Sequence, residues 1–212
     1  MSTVPDAAWR TLVGALFLDV QDALDRQQAA DTPTNRRGLL RALIAAVEGL
    51  AWLYREHVKE IAETMGLLSD AERGALSEIS YFVGDDGRVS EQRRFISTTA
   101  MIRLTSRIAA KCALADQPDF GVEGWVSLKK TIGIRNRITH PKAEDDLSVS
   151  SEDVQQAKSA FYWFAELMVS EMARATDTLR GYVDGFREVL QLLKAGDEAA
   201  LALYRRLQDE EE

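Results

Sequence analysis

Arg135 and His140, separated by four residues, pair a permanent cation with a side chain that exchanges its proton near neutral pH. They sit in Arg135-Asn136-Arg137-Ile138-Thr139-His140-Pro141, near the end of a predicted helix that the proline must stop. These residue types suit a phosphodiester. RNA carries its own nucleophile, the 2′-OH, beside the scissile phosphate. A neutral imidazole can accept that proton, and an imidazolium can protonate the leaving oxygen. A guanidinium can hold the non-bridging oxygens as charge accumulates. This chemistry calls for no metal and no cofactor. One histidine cannot readily serve as base and acid together, so two chains around a two-fold axis are expected to combine their motifs.

Lys129, Lys130, Arg137 and Lys142 flank the motif and are expected to grip RNA backbone, with Arg93, Arg94, Arg103, Arg107 and Lys111 adding to one groove. The alternative for each is a solvated helix face. Net charge is −8, which by itself disfavours a nucleic-acid partner. The charge is uneven, however. Asp85 to Lys142 holds eleven Lys/Arg against six Asp/Glu, and Ser150 to the end holds seven against thirteen. A basic middle permits a local phosphate groove on an acidic chain. His57 reads as an ordinary surface histidine. Trp125 and Phe161-Tyr162-Trp163-Phe164 read as core or dimer packing before base stacking, Cys112 as a small core residue, and Asp145 and Asp146 as loop solvation.

The elements that must position these groups are helical almost throughout. Apolar residues recur at three- and four-residue spacing from Ala7 to about Ala30, including Trp9, Leu16 and Val20. They recur again from about Arg36 to Met65, with Gly66 as a terminating glycine. Ser69 and Glu72 form a capping-box pattern that opens a shorter helix to about Val83. Gly84-Asp85-Asp86-Gly87 is a loop. A helix from about Ser90 to Ala115 follows, then the motif helix from about Val122 to Thr139, a polar loop to Val149, and a long helix from Ser151 continuing or bending through Leu193. A short helix over about 198–207 leads to the tail Asp209-Glu210-Glu211-Glu212. No strand pair is expected. The chain reads as an all-α bundle: an N-terminal helical extension (1–34), a helical bundle (35–195), and a short helix with an acidic tail (196–212). No apolar run reaches the roughly 18 residues of a membrane span, and Met1 to Asp6 lacks the pattern of a signal peptide. A cytoplasmic protein without a membrane partner is expected.

Within the motif helix, Trp125, Leu128 and Ile132 fall on one stripe, and continuing it reaches Arg135, Asn136 and Thr139. The face that is apolar at first is expected to turn polar in its last turn and a half. Asn136 and His140, four apart, share a side. Pro141 keeps His140 out of α geometry. The functional cluster is thus expected at the mouth of the bundle.

In the Arg-x4-His motif of Arg135 and His140, the polar Asn136 after the arginine, and the long helices on either side, the chain resembles the HEPN-domain family over roughly Arg36 to Leu193. The resemblance implies an up-and-down helical bundle, here with an extra N-terminal helix. It also implies a metal-independent endoribonuclease that dimerises to complete its site, with Arg135 and His140 catalytic and Asn136 assisting. Such proteins are commonly toxins or effectors in bacterial antiviral defence and toxin–antitoxin systems, which implies an antitoxin or defence-system partner. HEPN toxins paired with nucleotidyltransferase antitoxins typically carry a tyrosine two residues after the histidine. Lys142 stands there instead, so control through that tyrosine is not expected. Some HEPN domains act as catalytically silent modules that bind a partner protein or regulate a toxin, and this is the alternative function.

Overall fold

A computed structural model describes the backbone from Asp6 to Asp209 and the side chains of residues 11–206. Trp9 and the acidic tail beyond Asp209 lie outside those side-chain and backbone limits. Seven helices and one hairpin follow in order: α1 (Asp6–Ala29), α2 (Pro33–Thr64), α3 (Asp70–Leu76), β1 (Ile79–Val83), β2 (Val89–Arg93), α4 (Thr98–Ala113), α5 (Glu123–Thr139), α6 (Ser151–Ala195) and α7 (Glu198–Asp209). The fold is mostly helical, as the apolar spacing requires.

Local chemistry sets the boundaries. The Thr32 hydroxyl accepts the Asn35 N–H and Pro33 occupies the first turn, so α2 begins three residues before the expected Arg36. It ends at a left-handed Gly66 (φ 66°), where the Leu67 N–H donates to the Ala62 carbonyl. Ser69 and Glu72 cap α3 reciprocally, and Ser150 and Asp153 do the same for α6. α6 then runs unbroken for 45 residues.

Two expectations are corrected here. α3 does not reach Val83, and α4 does not start at Ser90. Between them β1 and β2 pair antiparallel, Ile79 opposite Arg93 and Val83 opposite Val89. Ile79-Ser80-Tyr81-Phe82-Val83 is rich in β-branched and aromatic residues. Glu78 enters the left-handed region (φ 54°), which no α-helix continues through. Arg93 therefore belongs to the hairpin, with Arg94 just beyond it, and neither lies on α4.

α2 is the central element. Leu39, Leu40, Leu43, Ile44, Val47, Leu50, Leu53, Tyr54 and Val58 are all buried along it, and α1, α4, α5 and α6 pack around it. α1 shares this core through Val20 and Ala23. At the α5–α6 contact, the buried Trp125 meets Phe120 at 4.7 Å and Trp163 at 6.0 Å between ring centroids. Arg103 lies 5.1 Å over Phe120 and 5.4 Å over Trp125. Phe161 and Phe164 are buried nearby in sequence, so the aromatic run packs core, except Tyr162, which is exposed.

This seam makes a sharp test. A methyl added at Gly124 would sit 2.2 Å from Trp163 Cγ, whereas one at Gly49 meets only the end of the Leu16 side chain at 2.7 Å. Gly124→Ala is expected to cost about 1–3 kcal/mol, the usual range for overpacking, and to lower Tm in a thermal melt. Gly49→Ala, which faces a side chain that can rotate away, should shift Tm far less.

Candidate functional site

The last turns of α5 correct the expected stripe. Trp125, Leu128, Thr131, Ile134 and Ile138 are buried, so the core face stays apolar to the helix end by drifting onto Ile134 and Ile138. Arg135 lies on its flank, half-buried. Asn136 and His140 are exposed on the solvent side.

Arg135 reaches α2 and forms an ion pair with Glu48, the two side chains being 24% and 40% exposed. Its Nε is buried without a hydrogen-bond partner. Beyond the pair opens a groove of about 390 Å³ lined by Trp52, Arg55, Glu78, Phe95 and Met101 among others. Trp52 and Phe95 present exposed rings there. Glu78 knits the groove's far wall. Its carboxylate accepts from Arg55 at 3.1 Å and from the Ile96 N–H at 3.3 Å, and its carbonyl accepts the Arg94 N–H at 2.8 Å.

His140 caps α5 outside α geometry (φ −126°, ψ 59°), its N–H donating to the Asn136 carbonyl at 3.0 Å. The departure from α is the one Pro141 demands. Neither the His140 nor the Asn136 side chain hydrogen-bonds to another described residue. The five helical steps from Arg135 to His140 amount to about 7.5 Å along the axis and about 140° around it. In one chain the guanidinium therefore turns toward α2 while the imidazole faces solvent. Asn136 and His140 are on one side; Arg135 is not with them.

The link from α5 to α6 is strapped by four guanidiniums to backbone carbonyls. Arg137 donates to Asp145 at 3.0 Å, Asp146 at 2.9 Å and Ser148 at 2.8 Å. From α2, Arg41 donates to Ile138 at 2.8 Å, Arg37 to Leu147 at 3.2 Å and Arg36 to Val149 at 3.3 Å. Within the link, a 3₁₀ turn (Glu144–Leu147) lets Asp146 accept the Lys142 and Ala143 N–H groups at 2.7 and 3.1 Å. Those two donors hold the Asp146 carboxyl below the usual carboxylate range. Asp146 thus shapes the loop, beyond the solvation expected of it.

The other candidates divide. Lys129, Lys130 and Lys142 are exposed. Arg137 spends its guanidinium on the loop, and Arg103 lies over aromatic rings. Lys111 donates to the Leu67 carbonyl and lies 3.5 Å from Glu72. His57 is half-buried, not a surface residue: its Nε2 is 3.0 Å from the Thr176 hydroxyl of α6, and burial lowers its pKa. Cys112 is buried, and burial pushes its thiol up. Glu48, Trp52 and Arg55, which sequence reasoning missed, repeat at four- and three-residue spacing on one flank of α2. That spacing was the available signal.

Among the described residues no group of three or more His, Cys, Asp or Glu is placed to hold a metal ion, and no helix is long and apolar enough to cross a membrane. No protein-family model, curated protein sequence or solved structure matches the chain.

Removing the Arg137 guanidinium leaves three carbonyls without their shared donor. Arg137→Ala is expected to cost about 1.5–3 kcal/mol, the range for hydrogen bonds to a charged group. Hydrogen exchange should speed up locally, from residue 142 to 149, and Arg137→Lys should recover only part of the loss because one ammonium cannot copy the fork.

Proposed function

We propose that the chain is a metal-independent endoribonuclease of the HEPN type, its site completed by two copies whose motif ends face each other. One observation carries the reading. Asn136 and His140 are exposed together at the open end of α5, and neither side chain has a structural task there. The HEPN resemblance of Arg135, Asn136 and His140, and the order of helices around them, gives that pair its chemistry. Because Arg135 and His140 diverge within one chain, the arginine that holds a phosphate beside a given histidine comes from the second copy.

His140 of one chain takes the proton from the 2′-OH, and that oxygen attacks the adjacent phosphorus. The bond to the 5′-oxygen breaks, the same histidine of the second copy protonates that oxygen, and a 2′,3′-cyclic phosphate and a 5′-hydroxyl remain. Arg135 holds the non-bridging oxygens in exchange for Glu48. Asn136 positions the ribose or phosphate by hydrogen bonding. A role as a toxin or defence effector, with RNA as substrate, belongs to the same reading.

A second reading rests on the Arg135–Glu48 pair. If that pair exists to fasten α5 to α2, the motif arginine is structural. The chain is then a helical module that binds a partner protein or regulates a toxin.

Cleavage of labelled single-stranded RNA in EDTA separates the two. Wild type is expected to leave 2′,3′-cyclic phosphate ends, with His140→Ala and Arg135→Ala reduced by on the order of 10²-fold or more. Cleavage that persists in both variants contradicts the assigned site. No cleavage by wild type on any RNA, together with a lowered Tm in Arg135→Ala, would establish the second reading instead.

A further inference from the structure

The end of α6 leaves the bundle. Its seam is buried at Phe164, Met168 and Ala175, yet every residue from Arg180 to Leu192 is exposed. This arm, Arg180–Ala195, extends about 24 Å. At ~100° per residue, Leu179, Tyr182, Val183, Phe186, Val189, Leu190, Leu192 and Leu193 all fall in one half of the helix. Arg180, Asp184, Arg187, Glu188, Gln191 and Lys194 occupy the other. Tyr182 is 53% and Phe186 59% exposed. A solvated helix with one wholly apolar half is an interface awaiting its partner. Gly181 and Gly185, with open space around them, each weaken the helix relative to alanine.

We infer that the arm and α7 of one chain pack against the same two helices of a second copy, forming a four-helix bundle. Leu179, Tyr182, Phe186, Val189 and Leu193 step by three and four residues, the seam spacing of packed helices. The apolar face is wider than the roughly 100° stripe that one neighbour covers, so the arm needs more than one helix against it. α7, after the left-handed turn at Gly196 (φ 75°), adds the half-exposed Leu203 and Tyr204. Arm and α7 together leave eight large apolar residues 38–59% exposed, a surface of the kind that the roughly 800 Å² per partner of a stable interface is built from.

Charge suits a second copy. Residues 177–195 carry three acidic and three basic side chains, and Arg180–Asp177 and Arg187–Asp184 pair at 2.9 Å. On a chain of net charge −8, a neutral arm lets two copies meet along it without like-charge repulsion. An anionic membrane would call for a basic polar face instead.

α6 starts at the motif end and runs roughly 43 Å before the arm begins. Arm pairing is therefore a separate contact from the meeting of motifs in the nuclease reading, and it stands or falls alone.

Mass by light scattering on the full chain tests it, wild type beside the double variant Phe186→Glu/Val189→Glu and the polar-face control Arg187→Ser. The double variant is expected to have half the wild-type mass, with wild type at twice 23.6 kDa or a multiple of that. The near-UV signal of Trp125 and Trp163 should be unchanged, showing the bundle intact, and Arg187→Ser should keep the wild-type mass. Wild type at the single-chain mass, or a double variant that keeps wild-type mass, overturns the inference.

Discussion

The burial of α2 is the constraint on which the rest depends. Its apolar residues, from Leu39 to Ala62, leave water on several sides at once. Four other helices therefore have to wrap it, each burying a residue set worth about 1.5–3 kcal/mol per large side chain. Polar groups of α2 can emerge only along its flanks, and there they set the surroundings of the motif. Arg36, Arg37 and Arg41 catch carbonyls at the α5–α6 link. Glu48 takes Arg135, and Arg55 takes Glu78 at the base of the hairpin. One helix thus provides both the core and the frame of the candidate site.

That frame gives the motif two unlike halves. Arg135 is held half-buried at a groove between α2 and the hairpin, its charge answered by Glu48. His140 and Asn136 stand in solvent at the end of α5, beside a link whose carbonyls are held by guanidinium clamps. The carboxylate partner also keeps the guanidinium aligned, at the cost of competing with any phosphate that approaches. The two halves lie on different sides of α5, so in one chain Arg135 and His140 do not face a common point.

Much of this was legible in the sequence, for physical reasons. Three- and four-residue apolar spacing located the helices, because burial of one face is what makes them form. Ser69, Ser150 and Gly66 marked termini, because orphan N–H and C=O groups must be satisfied there. Pro141 foretold the bent backbone at His140. The hairpin was not legible, because a five-residue strand between short helical patterns carries too little periodicity. Its decisive feature, the left-handed Glu78, is held by Arg55 from 23 residues away. The stripe of α5 was misplaced by the drift of 3.6-residue turns, which moved the core onto Ile134 and Ile138. Glu48, 87 residues from its arginine, was invisible to any local pattern, as were the three carbonyls that occupy Arg137.

Glu48 occupies Nη2 of Arg135, so a phosphate that takes the full guanidinium fork must displace that carboxylate. The direct measurement is the affinity of a 2′-O-methyl RNA, which cannot be cleaved, for wild type and Glu48→Gln in low salt with EDTA. Removing the competing charge is predicted to tighten binding severalfold and to steepen its salt dependence by about one phosphate contact. Equal affinity and equal salt dependence in the two proteins would contradict a phosphate-binding role for Arg135.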